Sequence, residues 1–166
     1  MSSVIEGLIF AWEKNKDYAV RLVSDLSDDQ MCAQPSGATG QPANHPAWVL
    51  SHLNVYVPIV GSVIEGEAFE DPKGHQFGMQ SKPESEKSLY ASREELINEY
   101  VAGHDAVTAL LRQADESIFS NPVQLERWKP VMPTAGITLP YLMLVHENVH
   151  LGQVSAWRRV QGMRAV

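Results

Sequence analysis

The sequence predicts an all-α protein, a four-helix bundle with two long connections, in a single domain over residues 1–166. Apolar residues recur at helical spacing in four long segments, and no segment shows a convincing strand pattern. The length is that of one ordinary domain, and 44% hydrophobic residues are enough for a buried core. Four long amphipathic helices in one domain most often pack as a bundle.

The first two predicted helices cover about residues 3–26 and 46–65. At the start of the second, Asn44 or His45 can cap the helix, and the proline that follows suits a first turn, where its missing N–H has no partner to lose. Gly66 can end it. The helical spacing of the first is kept by Ile5, Leu8, Ile9, Trp12, Tyr18, Ala19, Leu22, Val23 and Leu26.

The third predicted helix begins at Ser92, which can form a capping box with Glu95, and continues to about Gln113. The connections on either side of it, residues 66–91 and 114–137, are long for an up-and-down bundle. Loops of this length usually carry function or cross over the fold. We expect the second connection to fold over one end of the bundle, because it contains Pro122, Trp128, Pro130 and Pro133.

The fourth predicted helix has Thr138 as its cap and Pro140 in its first turn, and it ends near Val160. Arg158 and Arg159 lie in its last turn. Cations there complement the helix dipole, which explains both arginines without a functional role.

The bulk composition limits the partners. The chain has 13 basic and 20 acidic residues and a formal charge of -7, which does not suit binding to a nucleic-acid backbone. Cys32 is the only cysteine, so an internal disulfide is excluded and a reducing compartment is indicated. The N-terminal segment lacks a basic region, and no run of about 18 apolar residues occurs. We therefore expect a cytoplasmic protein with no membrane partner.

His146, Glu147 and His150 form an H-E-x-x-H motif. The two histidines lie one turn apart on one helix face, within reach of one metal ion. Two buried histidines with ordinary hydrogen-bond partners would give the same pattern, so the pair alone leaves both interpretations open. The face is expected to point inward, because it is shared or flanked by Leu139, Leu142, Met143, Val149, Gln153, Val154 and Trp157.

A zinc protease is the first function to test against this motif. One large group continues as H-E-x-x-H-x-x-G-x-x-H. Here Gly152 comes one position too early, and Ala156 stands where the last histidine should be. The 16 residues after His150 contain no His, Asp or Glu, so a third ligand must come from upstream. The sequence therefore disfavours a protease.

His52 is the best upstream candidate, because it lies in an apolar stripe of the second helix. Three imidazoles leave coordination positions open, as catalytic metals require. His104 also faces inward, as a further ligand, a hydrogen-bonding neighbour or a core residue, of which we favour the last two. Glu147 lies about 100° from His146 on the helix, where it is either a general base or a solvent-facing residue.

These residues resemble the DinB/YfiT-like metalloenzymes. Members of that family pair W-x-x-x-H-L on helix 2 with H-x-x-x-H-x-G-Q on helix 4, and the corresponding residues here are Trp48, His52, Leu53, His146, His150, Gly152 and Gln153. The resemblance extends over nearly the whole chain. It implies a four-helix bundle, usually a dimer, with His52, His146 and His150 as metal ligands. Zinc or nickel is implied, with iron or manganese as alternatives. Beside these ligands, Gln153 of the motif and the inward-facing His104 are our candidates for supporting residues.

The resemblance also implies an activity. Characterised members include thiol-dependent transferases and isomerases that use low-molecular-weight thiols such as bacillithiol or mycothiol. A bound metal lowers the pKa of a thiol, and the thiolate is the reactive form. We therefore expect a divalent-metal-dependent transferase acting on small electrophilic molecules. Cys32 lies outside the ligand pattern, so the thiol would be external. The alternatives are a metal-dependent hydrolase of a small molecule and a non-catalytic metal-binding bundle.

The same resemblance predicts a homodimer. Apolar positions are abundant on the first and fourth helices. They include Trp12 and Trp157, whose burial we expect a single bundle to leave incomplete.

Overall fold

The fold is a bundle of four long helices, seen in a computed structural model that describes residues 3–35 and 42–166. The last long helix, residues 135–160, is continuous but changes its geometry along its length. The all-α prediction is confirmed, because the described residues contain no strand beyond an isolated bridge between Pro122 and Thr134. The helices are α1 (Ser3–Val23), α2 (Asp28–Met31), α3 (Pro46–Glu65), α4 (Arg93–Gln113), α5 (Ala135–Pro140), a π-helical segment (Tyr141–His146) and α6 (Glu147–Val160).

Most helix ends follow their local signals. The His45 side chain caps α3 by accepting from the Trp48 N–H at 3.3 Å, and Gly66 ends α3 at a φ of 73°. Ser92 and Glu95 form both bonds of a capping box at the start of α4. Helix α1 stops at Val23, three residues earlier than predicted.

The short helix α2 was not predicted from the sequence. Ser27 caps it by accepting from the Gln30 N–H at 3.2 Å, and the Gln30 side chain accepts from the Ser27 N–H at 2.8 Å. The chain thus turns away from α1 through a second capping box.

The predicted start of the fourth helix is wrong. The helix begins at Ala135, and Thr138 is already inside it, with its hydroxyl donating to the Thr134 carbonyl at 2.9 Å. Pro140 also lies within the helix, where its ring nitrogen cannot donate to the preceding turn. The backbone then widens into the π-helical segment, at whose end the Glu147 N–H donates to the Leu142 carbonyl, five residues earlier.

Helix α3 is the central helix of the core. It is long and apolar enough to cross a membrane by length and composition, but 83% of its most apolar window is buried inside the bundle. That burial is typical of a core helix. Trp12 and Trp157 are only 2% and 3% exposed, so the expectation that a single bundle leaves them incompletely buried is wrong.

Arg158 has a larger role than the dipole contact predicted for it. Its side chain is 2% exposed and donates to both carboxylate oxygens of Asp25, at 2.6 and 2.8 Å. It also donates to the Leu22 carbonyl at 2.8 Å. Arg158 therefore joins the end of the last helix to the end of α1, and its guanidinium holds the pKa of Asp25 below the usual value.

The two long connections meet each other beside α3. Arg127 pairs with Asp71 through two hydrogen bonds, and the ring of Phe69 lies 5.3 Å from that of Trp128. Trp128 is 6% exposed, so the second connection packs onto the core. The first connection passes next to His52, where it forms part of the site described below.

Candidate metal centre

Three histidines from two helices meet at one point. His52 comes from α3, His146 from the end of the π-helical segment, and His150 from the first turns of α6. Their nearest ring nitrogens all lie within 4.8 Å of one another, and no other such group of His, Cys, Asp or Glu occurs among the described residues. The Nε2 atoms of His52 and His146 are 3.0 Å apart. Two nitrogens that each bind one ion at about 2.0–2.1 Å lie roughly 2.9–3.4 Å apart, so this separation suits a shared ion.

Hydrogen bonds orient two of these rings. Nδ1 of His52 lies 2.6 Å from the Phe77 carbonyl oxygen, which can only accept, so Nδ1 carries the hydrogen and Nε2 keeps its lone pair. Nδ1 of His150 donates to Oε1 of Gln153 at 2.9 Å, and the same oxygen accepts from Asn44 at 2.8 Å. Gln153 therefore contacts His150 in the way expected of a residue that supports a ligand.

The three imidazoles are held in the neutral form. Burial, followed by the positive charge of a protonated His150, lowers the pKa of His52 to about 4, against the hydrogen bond to Phe77. Burial, followed by repulsion from His150 and His52, lowers the pKa of His146 to about 3. Burial also lowers the pKa of His150. Neutral imidazole is the form that binds metal ions, so the cluster needs no deprotonation near pH 7.

Aromatic rings frame the cluster on the α3 side. Trp48 stacks on His52 with ring centres 4.8 Å apart, and Tyr56 lies 4.7 Å from His52 and 4.5 Å from His146. Tyr56 is 7% exposed, and burial raises the pKa of its phenol. Tyr56 was not predicted to belong to the site. Its position four residues after His52 was the signal that it shares the same face.

Glu147 lies outside the histidine cluster. It is 2% exposed, so the alternative that it faces solvent is wrong. One carboxylate oxygen accepts from the Tyr100 hydroxyl at 2.5 Å and from Nε2 of His104 at 2.7 Å, and the other accepts from Asn15 at 2.8 Å. No hydrogen bond links Glu147 to the clustered histidines in the part of the chain that the structure describes. Its predicted role as a general base stays a prediction.

His104 belongs to the same buried group as Glu147. It is fully buried and stacks on Trp12 with ring centres 3.8 Å apart. Its Nδ1 lies 2.9 Å from the Tyr100 carbonyl oxygen, and its Nε2 faces Glu147. Both ring nitrogens therefore have hydrogen-bond partners inside the bundle. His104 is thus a hydrogen-bonding neighbour of Glu147 and makes no bond to the three clustered histidines.

Two further histidines behave as their positions suggested. His45 is a buried helix cap whose Nε2 contacts the Glu84 carbonyl at 2.8 Å. His75 is exposed in the first connection. Neither belongs to the metal-ligand group.

Comparison with known proteins places this geometry in a family. The family model of the DinB superfamily matches residues 11–154, which include all three clustered histidines and most of the four long helices. No curated protein matches the chain. Because the family model covers well over half of the 166 residues, this chain belongs to the DinB superfamily.

Proposed function

We propose that the protein binds one divalent metal ion through His52, His146 and His150 and uses it to transfer a thiol to a small electrophilic molecule. The observation that carries the proposal is the convergence of three neutral imidazoles, two of them oriented through Nδ1. A three-nitrogen donor set favours late first-row metals over magnesium or calcium, so zinc or nickel is expected before iron or manganese.

The surroundings of the cluster support an external thiol. When bound, a divalent ion lowers the pKa of a thiol placed beside it and so favours the thiolate. The chain's own thiol is not suited to that role, because Cys32 is 6% exposed and burial raises its pKa. Trp48 and Tyr56 give the cluster an apolar wall that suits the body of a small organic substrate.

Hydrolysis is the less favoured activity. In H-E-x-x-H proteases the glutamate serves as general base beside the metal. Here both carboxylate oxygens of Glu147 already accept hydrogen bonds from α1 and α4. The motif therefore lacks a free base at the position where that chemistry uses one.

Metal binding is tested first, on protein purified without a histidine tag. Elemental analysis should give about one metal per chain after loading. His52→Ala and His150→Ala should lower metal affinity, measured by competition with a chelator, by more than the ~10–100-fold that loss of a supporting residue costs. The control is Arg159→Ala, an exposed change on the same helix as His150 and outside the cluster. Wild-type affinity in folded His52→Ala would exclude His52 as a ligand.

The transfer is tested with the metal-loaded protein, a low-molecular-weight thiol and the electrophilic dye monochlorobimane. We expect dye conjugation to require both the thiol and the metal, and to be lost in His150→Ala. Consumption of an electrophile at the same rate without thiol would instead identify hydrolysis. No reaction over a panel of thiols, with metal bound, would favour a non-catalytic bundle.

We also propose that the protein is a homodimer, with the outer face of the last helix as the contact. The residues of this face are each 43–66% exposed: Ile137, Tyr141, Val145, Val149 and Val160. Val149 had been predicted to flank the inward face, and its 54% exposure corrects that prediction. A row of exposed apolar side chains along one helix is a common sign of a protein contact.

A further inference from the structure

The π-helical segment lies directly before the metal cluster. It ends at His146, and a π turn holds one residue more than an α-helical turn. Residues after it are therefore turned by about 100° from where an unbroken α-helix would place them. The direction in which His146 and His150 point, relative to the buried first half of the helix, depends on this turn.

The wider turn deprives one carbonyl of its usual donor. In an α-helix the Glu147 N–H would donate to the Met143 carbonyl, but here it donates to that of Leu142. A buried carbonyl without a partner is costly. Nδ2 of Asn15, on α1, lies 3.0 Å from the Met143 carbonyl oxygen and supplies the missing donor.

The same amide group also binds the residue beyond the turn. Nδ2 of Asn15 is 2.8 Å from Oε2 of Glu147, so its two hydrogens go to Met143 and Glu147. Both partners are acceptors, which sets the orientation of the amide. Asn15 is 7% exposed, so water does not compete freely for these bonds. The other oxygen of Glu147 is held from α4 by Tyr100 and His104, and the turn is thus clamped by two neighbouring helices.

His146 is the ligand candidate that needs such support most. Nδ1 of His52 and of His150 each have a hydrogen-bond partner, Phe77 and Gln153. Among the described residues no hydrogen bond to Nδ1 of His146 accompanies its contact with His52. Its ring is therefore placed by its backbone and by ring packing.

We infer that Asn15 and Glu147 are positioning residues for His146, which hold the wide turn that directs its ring toward His52 and His150. The inference rests on the proposed metal site. It assigns the glutamate of the H-E-x-x-H motif to a helix face directed at α1 and α4, away from the three histidines, and it adds a residue of α1, Asn15, that the motif does not contain.

The test compares metal binding by Asn15→Leu, which keeps the size of the side chain, and Asn15→Ala, which avoids crowding. Neither variant can donate to Met143 or Glu147. We expect each to bind Zn²⁺ about tenfold more weakly in competition with a chelator. We also expect an altered visible spectrum of bound Co²⁺, because that spectrum reports coordination geometry.

The matched control is Leu22→Ala, a fully buried core change on the same helix that does not touch the wide turn. It should lower stability while leaving zinc affinity and the Co²⁺ spectrum as in the wild type. The inference is overturned if both Asn15 variants keep the wild-type affinity and spectrum, or if Leu22→Ala loses as much affinity as they do. If the wild type itself binds neither Zn²⁺ nor Co²⁺, the proposed metal site fails and this inference fails with it.

Discussion

Replacing Glu147 by glutamine separates two roles for the glutamate of the motif. A general base at a metal would lose activity and keep its stability when its charge is removed. A buried partner of His104 and Tyr100 would lose stability. The structure favours the second outcome, because Glu147 is 2% exposed and accepts from Asn15, Tyr100 and His104.

The expected loss of stability follows from the burial of Glu147 and its hydrogen-bond partners. Glu147→Gln keeps one acceptor oxygen for Tyr100 and His104 but turns the other oxygen into an NH2 group, a donor that faces the donating amide of Asn15. Leaving a buried donor without an acceptor costs about 1–3 kcal/mol. Burial raises the pKa of Tyr100 well above the usual value, so its hydroxyl keeps its proton and still donates to the glutamine. For a chain of this size the loss corresponds to a Tm lower by roughly 2–12 °C.

The measurement is urea unfolding followed by circular dichroism, in excess chelator so that bound metal adds nothing to stability. Glu67→Gln, at an exposed position of the first connection, is the control and should change stability by less than about 0.5 kcal/mol. The double variant with His104→Gln should lose less than the sum of the two single changes, because each removes the same pair. A Glu147→Gln protein within about 0.5 kcal/mol of the wild type would refute the buried-pair interpretation.

Three further predictions concern other parts of the molecule. The pKa of His52 is lowered to about 4, whereas a histidine in the unfolded chain has its ordinary pKa of 6.5, so the unfolded state binds more protons between these values. The contribution of His52 to the stability of the metal-free protein should therefore be complete above pH 6.5 and fall by roughly 3 kcal/mol as the pH drops to 4, and the lowered pKa values of His146 and His150 add to this loss. A urea midpoint that does not change over this range would contradict the prediction. Ile137→Glu places a charge in the exposed face of the last helix, before the wide turn, and should convert the dimer to a monomer in sedimentation with zinc affinity unchanged. A wild-type monomer at tens of micromolar would exclude the dimer. Arg158→Lys cannot donate to both oxygens of Asp25 and should cost about 1–2 kcal/mol in urea unfolding, and an unchanged midpoint would show that the paired bonds add little.

Local signals were enough for most of the fold. A capping box such as Ser92 with Glu95, or a terminal glycine such as Gly66, acts through atoms a few residues apart. The inward position of His52 followed from its apolar stripe in the same way, and the structure brings it to the other two histidines. The capping box of Ser27 and Gln30 was also present in the sequence, but the helix that it begins has only four residues, too few to show a helical spacing of apolar residues.

The remaining features depend on contacts between distant residues. Pro140 looks in the sequence like a first-turn proline, although it lies inside the helix. The π-helical segment after it contains one extra residue per turn, which does not visibly change the spacing of the apolar residues in the sequence. The direction of Glu147 was equally open, because 100° of rotation from His146 can lead toward solvent or toward another helix. The donors that decide it, on α1 and α4, lie 43 to 132 residues away in the chain.

His52 contacts the first connection through a main-chain atom, so this contact depends on the backbone path of the segment and not on the identity of its side chains. His52 is held by the main-chain carbonyl of residue 77, an atom that every amino acid supplies. The next residue is Gly78, where an added Cβ would lie 1.7 Å from the Pro72 carbonyl oxygen. The path of the segment is therefore under tighter constraint than most of its side chains. Under selection for new substrates, the side chains of the first connection beside the cluster can therefore change while the imidazole of His52 keeps its position.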